Sequence, residues 1–425
     1  MSEVLWDIRW LDPGTGTATE HQTITFEGDT VAAIGDAVGE APEGAHDLAG
    51  ATVLPGLIDA HVHVASDTSR SPGFGPPPAQ HGEPPRPAGL AQYILAATAD
   101  RILRSGFTTV RDVGAYDDEV LALRAAIDAE LVPGPRVYTC GRIISATAPG
   151  GEIFHSMYRE ADGPWEMRKA VREQLKRGAE FIKFMATGAR SVVLEDPEPA
   201  QMTLEEMKAI VDEAHRMGKR VAAHAEGLEG TRWALEAGAD TIEHGLALHR
   251  EPKLLDDMAE RGTVLVPTIS TFHDLAERFA NIFPAVLVEQ AKRQLEEAMR
   301  TVDTARRAGV TLALGYDSGT TRLLGAGADA AARGRSQRER GAVGGHARRR
   351  RRARARRPRP PGGRVTGGRG RDRWPAGRGS DGPDASRGDP PRGRSRQGVR
   401  DVEAGHGRRH GVTASRVGDR SAVSR

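Results

Sequence analysis

The stretch PGLIDAHVHV, residues Pro55–Val64, sets two histidines two positions apart at the end of an apolar run. Side chains alternate between the faces of a strand, so His61 and His63 point to the same side. Taken alone, such a pair is more often two hydrogen-bonded strand-end residues than a metal site. Whether these imidazoles have partners depends on the rest of the chain.

Working outward, seven further apolar runs follow: FTTVRDV, RVYTCG, FIKFMATG, RVAAHA, DTIEHG, TVLVPTI and VTLALGYDS. Between them lie helix-like segments such as LAQYILAATADRILRSG, PWEMRKAVREQLKRG and TLEEMKAIVDEAHRMG, several of which stop at glycine. Eight strand–helix alternations predict an α/β fold, a parallel (β/α)8 barrel of the TIM type, over residues 52–330. Before it, short alternating runs such as TITFEG and TVAAIG predict a small antiparallel sheet within residues 1–51. The Pro- and Gly-rich loop from Ser66 to Gly89 follows strand 1, on the face where barrel active sites form, and is a candidate substrate cover.

Composition narrows the class. Among 425 residues there is one cysteine, Cys140, which excludes an intramolecular disulfide framework and points to a reducing compartment. The start, MSEVLWDIRW, has no apolar signal-peptide core, and no run approaches the roughly 18 apolar residues of a membrane span. A soluble cytoplasmic protein without a membrane partner is expected. The net charge of +2 conceals an asymmetry. From Arg333 onward there are 28 Arg, no Lys and 8 acidic residues, leaving 32 basic and 50 acidic residues before it. That last part contains no Leu, Ile, Met, Phe or Tyr. It cannot build an apolar core, and residues 331–425 read as a disordered tail.

Partners for His61 and His63 are present. His224 (VAAHAEG), His244 (TIEHG) and Asp317 (LGYDSG) end other apolar runs, and Lys183 lies inside FIKFMATG. Barrel closure would gather these ends on one rim. Four imidazoles and a carboxylate there suit one or two divalent metals. Lys183, flanked by Phe181-Ile182 and Phe184-Met185, could simply snorkel to a loop or pair with an acid. Its sharper reading is chemical. Burial lowers a lysine pKa and leaves the amine partly neutral. A neutral amine adds carbon dioxide to give a carbamate, whose two oxygens could bridge cations about 3.5–4 Å apart.

Together, PGLIDAHVHV, IKFMATG, VAAHAEG, TIEHG and GYDSG resemble the amidohydrolase superfamily, most nearly its branch of imidazolonepropionase-like proteins and bacterial Xaa-Pro and Xaa-Arg dipeptidases. The resemblance runs from about residue 3 to 325. It implies two divalent metals, usually Zn2+. His61 and His63 would hold the more buried metal with Asp317. A carbamate on Lys183 would bridge, and His224 with His244 would hold the second metal. A metal-bridged hydroxide would attack the substrate, with Asp317 as its proton acceptor. The resemblance also implies a final helix, then strands completing the small domain as a β-sandwich. Nothing after Ala330 resembles these, so the sandwich is expected to be incomplete at its C-terminal side.

Three motifs depart from the family pattern. TGAR stands where T-G-G is usual, PGGEIFHS where G-G-H is usual, and GYD where G-T-D is usual. Arg190, His155 and Glu226 are the resulting loop candidates for substrate contact. The implied activity is hydrolysis of a C–N bond, the amide of a dipeptide or N-acyl amino acid. A cyclic amide or a heterocycle undergoing deamination is the alternative within the class. From another class, HARRRRRARARRPRP suggests a nucleic-acid-binding protein, but it has no aromatic interleaving and no binding module. An inactive copy is the third reading. The tail is rich in residues of GC-rich codons. A GCC repeat encoding an Ala-rich helix yields Arg (CGC) or Pro (CCG) when its frame shifts, so a frameshift near codon 330 is expected. Homo-oligomerisation stays open.

Overall fold

Alternating polar and apolar residues at the start of the chain form β1 (Ser2–Asp12), β2 (Thr17–Glu27), β3 (Thr30–Asp36) and β4 (His46–Val53). The structure, a computed structural model, describes residues 2–65, 89–189, 192, 194–278, 280–281 and 284–317. The strand order is β3-β2-β1-β4, antiparallel except for the parallel β1–β4 pair. The sheet is therefore mixed rather than antiparallel. The longer connection from β3 to β4 lets the chain return beside β1 in the same direction, which a hairpin cannot do. Its buried apolar residues are Ile8, Ile24 and Phe26. The outermost strand β3 leaves Val31 and Ile34 exposed. A second layer of a sandwich is not found among the described residues.

The apolar run Thr52–Val64 is two strands, not one. Pro55 has no N–H to give a ladder, and β5 (Leu57–Val62) begins only after Gly56. With β6 (Phe107–Asp112) and β7 (Arg136–Thr139) it makes a parallel sheet. A second parallel sheet contains β8 (Ile143–Ser145), β9 (Tyr158–Glu160), β10 (Ile182–Met185), β11 (Val221–Ala225), β12 (Thr241–His244) and β13 (Val264–Val266), in the order β13-β12-β11-β10-β8-β9. Backbone bonds link the two. Glu180 N–H donates to Thr139 at 3.0 Å, beside β10 and β7. The run 311–317 exchanges bonds with Leu265 of β13. On its other side Ala60 N–H donates to Leu314 at 2.8 Å and Asp317 N–H to His61 at 2.7 Å.

The helices between these strands are α1 (Leu90–Arg104), α2 (Glu119–Asp128), α3 (Pro149–Phe154), α4 (Pro164–Arg177), α5 (Leu204–Arg216), α6 (Leu228–Ala237), α7 (Pro252–Arg261), α8 (Ile269–His273) and α9 (Ala285–Arg307). Local chemistry sets their ends. Thr203 and Glu206 form a reciprocal capping box at the start of α5. Proline opens α4 and α7, and left-handed glycines close α4, α6 and α7. Strand residues Ile182, Phe184, Ala223, Ile242 and Leu265 pack against Met167, Met207, Ile210 and Leu255 from the helices, burying that face of the second sheet.

One face is different. Ile58 of β5 and Leu312 and Leu314 beside it are 60%, 38% and 52% exposed. The described residues all fall within one compact unit, Met1–Arg359. The candidate covering loop, apart from Gly89, and the expected tail lie outside the described residues. No described helix is long and apolar enough to cross a membrane.

Candidate active site

The C-terminal ends of the parallel strands bring the imidazoles together. His61 Nε2 and His63 Nε2 lie 3.2 and 3.4 Å from the same oxygen, Asp317 Oδ1. Each ring is oriented from its other nitrogen. His61 Nδ1 is 2.7 Å from Glu243 Oε2, and His63 Nδ1 is 3.0 Å from the Gly114 carbonyl. Both partners only accept, so each Nδ1 carries the proton and donates it. Each Nε2 then meets a carboxylate oxygen, as a fellow acceptor unless a second proton lies between them. Three such acceptors directed at one point need a proton or a cation between them. Ligand atoms of His61, His244 and Asp317 all lie within 4.8 Å of one another. The His224 ring is 4.5 Å from that of His244. Lys183 is buried on β10, in the electrostatic field of Glu243 and Asp317.

Backbone conformation helps the rings converge. His244 and Asp317 have φ of 70° and 58°, the left-handed region. That breaks strand alternation, and consecutive residues Glu243 and His244 both reach His61, whose ring lies 5.0 Å from that of His244. Thr268, at φ 46°, places Oγ1 2.7 Å from His244 Nδ1. Such conformations cost about 1–3 kcal/mol each and persist where the surroundings fix them. Two buried carboxylates pin the flanking backbone. Asp59 Oδ1 accepts from the amides of His61 and Tyr316, and Asp112 accepts from Val64 N–H and Thr139 Oγ1–H.

Burial works against the Asp317 carboxylate, but His61 and His63 overcome it and hold its pKa well below the usual range. Burial and the Lys183 charge lower His224 to about 3. Burial lowers Lys183 to about 8, with Glu243 opposing. At neutral pH a minority of the amine, roughly a tenth, is uncharged. The cluster thus offers imidazoles, a carboxylate and a partly neutral amine. Such a donor set can hold a divalent metal.

Of the loop candidates, Arg190 lies outside the described residues, and His155 begins a short 3-10 turn, His155–Met157. Glu226 is buried, its Oε1 3.5 Å from His224 Nε2. Sequence reading missed Glu243, Arg111, Thr268, Asp59 and Asp112. For Glu243 a signal existed: it is an acid inside the apolar run DTIEHG, as Lys183 is a base inside FIKFMATG.

The sequence pattern of the amidohydrolase family matches residues 52–345. The chain belongs to the amidohydrolase family. The match runs past Arg333, where the composition changes. This amidohydrolase is 32% identical over 296 residues to the ochratoxinase of Aspergillus niger, covering 63% of this chain and 58% of that protein. It spans about three fifths of the length of the curated relatives it matches. It resembles a crystal structure of a Xaa-Pro dipeptidase with methionine bound in the active site, with TM-score 0.66, 29% identity and coverage of 76% and 80% of the two chains. It also resembles a prolidase complexed with N-methylphosphonate-L-proline, with TM-score 0.64, 28% identity and coverage of 75% and 79%. The amidohydrolase relatives have TIM-barrel-like α/β folds, in keeping with the parallel sheets described above.

Proposed function

We propose that this amidohydrolase hydrolyses the amide C–N bond of a dipeptide or N-acyl amino acid with the help of divalent metal ions, most suitably Zn2+. The observation that carries the reading is the convergence of His61 Nε2 and His63 Nε2 on Asp317 Oδ1, with each Nδ1 proton already committed elsewhere. His61, His63 and Asp317 would hold one metal and His224 and His244 a second. A carbamate on Lys183 would serve both, its neutral amine forming the N–C bond to carbon dioxide and releasing a proton. Bound there, the metals supply Lewis acidity toward water and the scissile carbonyl. Asp317 accepts the proton of the attacking water and returns it to the leaving nitrogen as the C–N bond breaks. Thr268 and Glu243 hold the rings of His244 and His61 in place. His155 and Arg190 are the loop residues assigned to substrate. The dipeptide reading also draws on the dipeptidase and prolidase relatives, and the N-acyl reading on ochratoxinase.

The backbone bonds of residues 311–317 to β13 on one side and to β5 on the other support a closed eight-stranded barrel with this run as its last strand. We assign residues 52–330 to that barrel and residues 1–51 to a small companion domain. Residues from about 331 are best read as out of frame. In support, Ile58, Leu312 and Leu314 are an exposed apolar face on parallel strands, where a helix following the last strand would lie.

The test is direct. The purified full chain, supplied with zinc and bicarbonate, is offered Xaa-Pro dipeptides, other dipeptides and N-acyl amino acids while free amine is measured. Release of amine together with close to two bound metals is the expected result. A folded, metal-loaded protein that cleaves none of them refutes the reading.

A further inference from the structure

Half-buried Arg111 and fully buried Glu243 form an ion pair of which the proposed function uses only the contact from Glu243 to His61. Arg111 comes from β6 and Glu243 from β12, and Arg111 Nη2 donates to Glu243 Oε1 at 2.6 Å. Glu243 is fully buried. Its other oxygen, Oε2, accepts from His61 Nδ1 at 2.7 Å. Arg111 is fixed in turn. Its Nε donates to the carbonyl of Ala60, the residue before His61, and its Nη1 to Thr241 Oγ1 at 3.1 Å. Its guanidinium also lies 5.3 Å from the centre of the Phe181 ring. Three strands thus meet through one carboxylate.

A buried ion pair is a poor way merely to hold strands together. Desolvation costs about as much as the pairing returns, and apolar residues of similar volume would serve as well. What apolar residues cannot do is choose which nitrogen of an imidazole carries its proton. We infer that Arg111 and Glu243 are positioning residues that keep the His61 proton on Nδ1 and so present its Nε2 lone pair to the metal centre. Arg111 orients Glu243, and Glu243 holds the ring. His63 Nδ1 meets the neutral Gly114 carbonyl in the corresponding place, so of these two contacts that of His61 is to the stronger acceptor. The inference rests on the reading that His61 meets a metal, and it goes beyond it by assigning a function to two residues that touch no substrate.

Two measurements on the full chain test it. The first needs no variant. Long-range 1H–15N correlation spectra of metal-free, 15N-histidine-labelled protein should show His61 protonated on Nδ1, and a spectrum with the proton on Nε2 overturns the inference. The second is competitive zinc titration against a chelator. Glu243→Gln should weaken the tightest site about ten- to a hundredfold. At saturating zinc, kcat should fall more than KM rises, and Arg111→Lys should fall between Glu243→Gln and wild type. A folded Glu243→Gln protein with wild-type zinc affinity and kcat refutes the pair's role. If that variant does not fold, the wild-type tautomer decides. A wild-type protein that takes up no zinc refutes the metal reading instead, while the tautomer still judges the pair.

Discussion

In the proposed reaction Asp317 is the residue on which the chemistry turns. It faces two imidazoles and is held ionised at neutral pH. Asp317→Asn removes the proton acceptor while keeping the shape, and we expect turnover to drop about 10²- to 10⁴-fold. A variant with the wild-type pH–rate profile would assign the base elsewhere. Lys183→Ala removes the buried amine proposed to carry the carbamate. Metal analysis should show one equivalent lost, with hydrolysis nearly abolished and partly restored by short carboxylic acids. Retention of both metals and full rate without additives refutes the carbamate. Space is as tightly set as charge. A Cβ at Gly315 would lie 2.7 Å from His61 Cβ and 2.5 Å from Val266 Cγ1. Gly315→Ala should therefore displace the His61 ring, lowering bound zinc and destabilising the fold by about 1–3 kcal/mol. Zinc stoichiometry and a urea melt check both.

At the level of strands and helices, much was legible in advance. Apolar runs alternating with amphipathic segments revealed the parallel sheets, and polar residues ending those runs marked where side chains would gather. Other features were hidden for physical reasons. Glu243 meets His61 across 182 positions and Arg111 across 132, contacts that no local pattern encodes. The alternation rule allows only one of Glu243 and His244 to face inward, and the left-handed backbone at His244 evades it. The break at Pro55 was readable, but the length of the surrounding apolar run masked it. The helices also carry a pH-dependent element. On α5, Glu213 is buried and pairs with Arg172 of α4 and Arg216 of its own helix, which hold its pKa at about 2. Its folded pKa lies below its unfolded one. The pair therefore stabilises the protein fully above about pH 4.5 and loses that contribution as pH falls toward 2. Because both arginines are largely solvent-exposed, the gain is about 1 kcal/mol or less. The stability gap between wild type and Glu213→Gln in urea should narrow steadily from pH 5 to pH 3. A gap that is constant over that range contradicts the assignment.

For the whole molecule, the exposed face made by Ile58, Leu312 and Leu314 is the feature to test. If nothing covers it, Leu314→Thr should change stability by no more than about 0.5 kcal/mol and raise solubility. A loss of several kcal/mol would mean that the face is covered and that the chain has its helix after all. Resequencing the gene near codon 330 bears on the same point. A shifted frame encoding an amphipathic helix followed by short strands is the expected finding, and the absence of one refutes the frameshift. The bond from Tyr316 N–H to Asp59 has a consequence of its own, for it spans 257 positions and joins the last described run to the strand of the first histidines. Closing so long a loop is entropically slow, and contacts this distant in sequence form late. During synthesis, His61 and His63 leave the ribosome long before Asp317 does. The nascent chain thus carries half a ligand set until its final strand arrives. If the proposed ligand set holds, metal capture would report that this last run has joined the first strand, and a chain stopped short of it would be apo by construction.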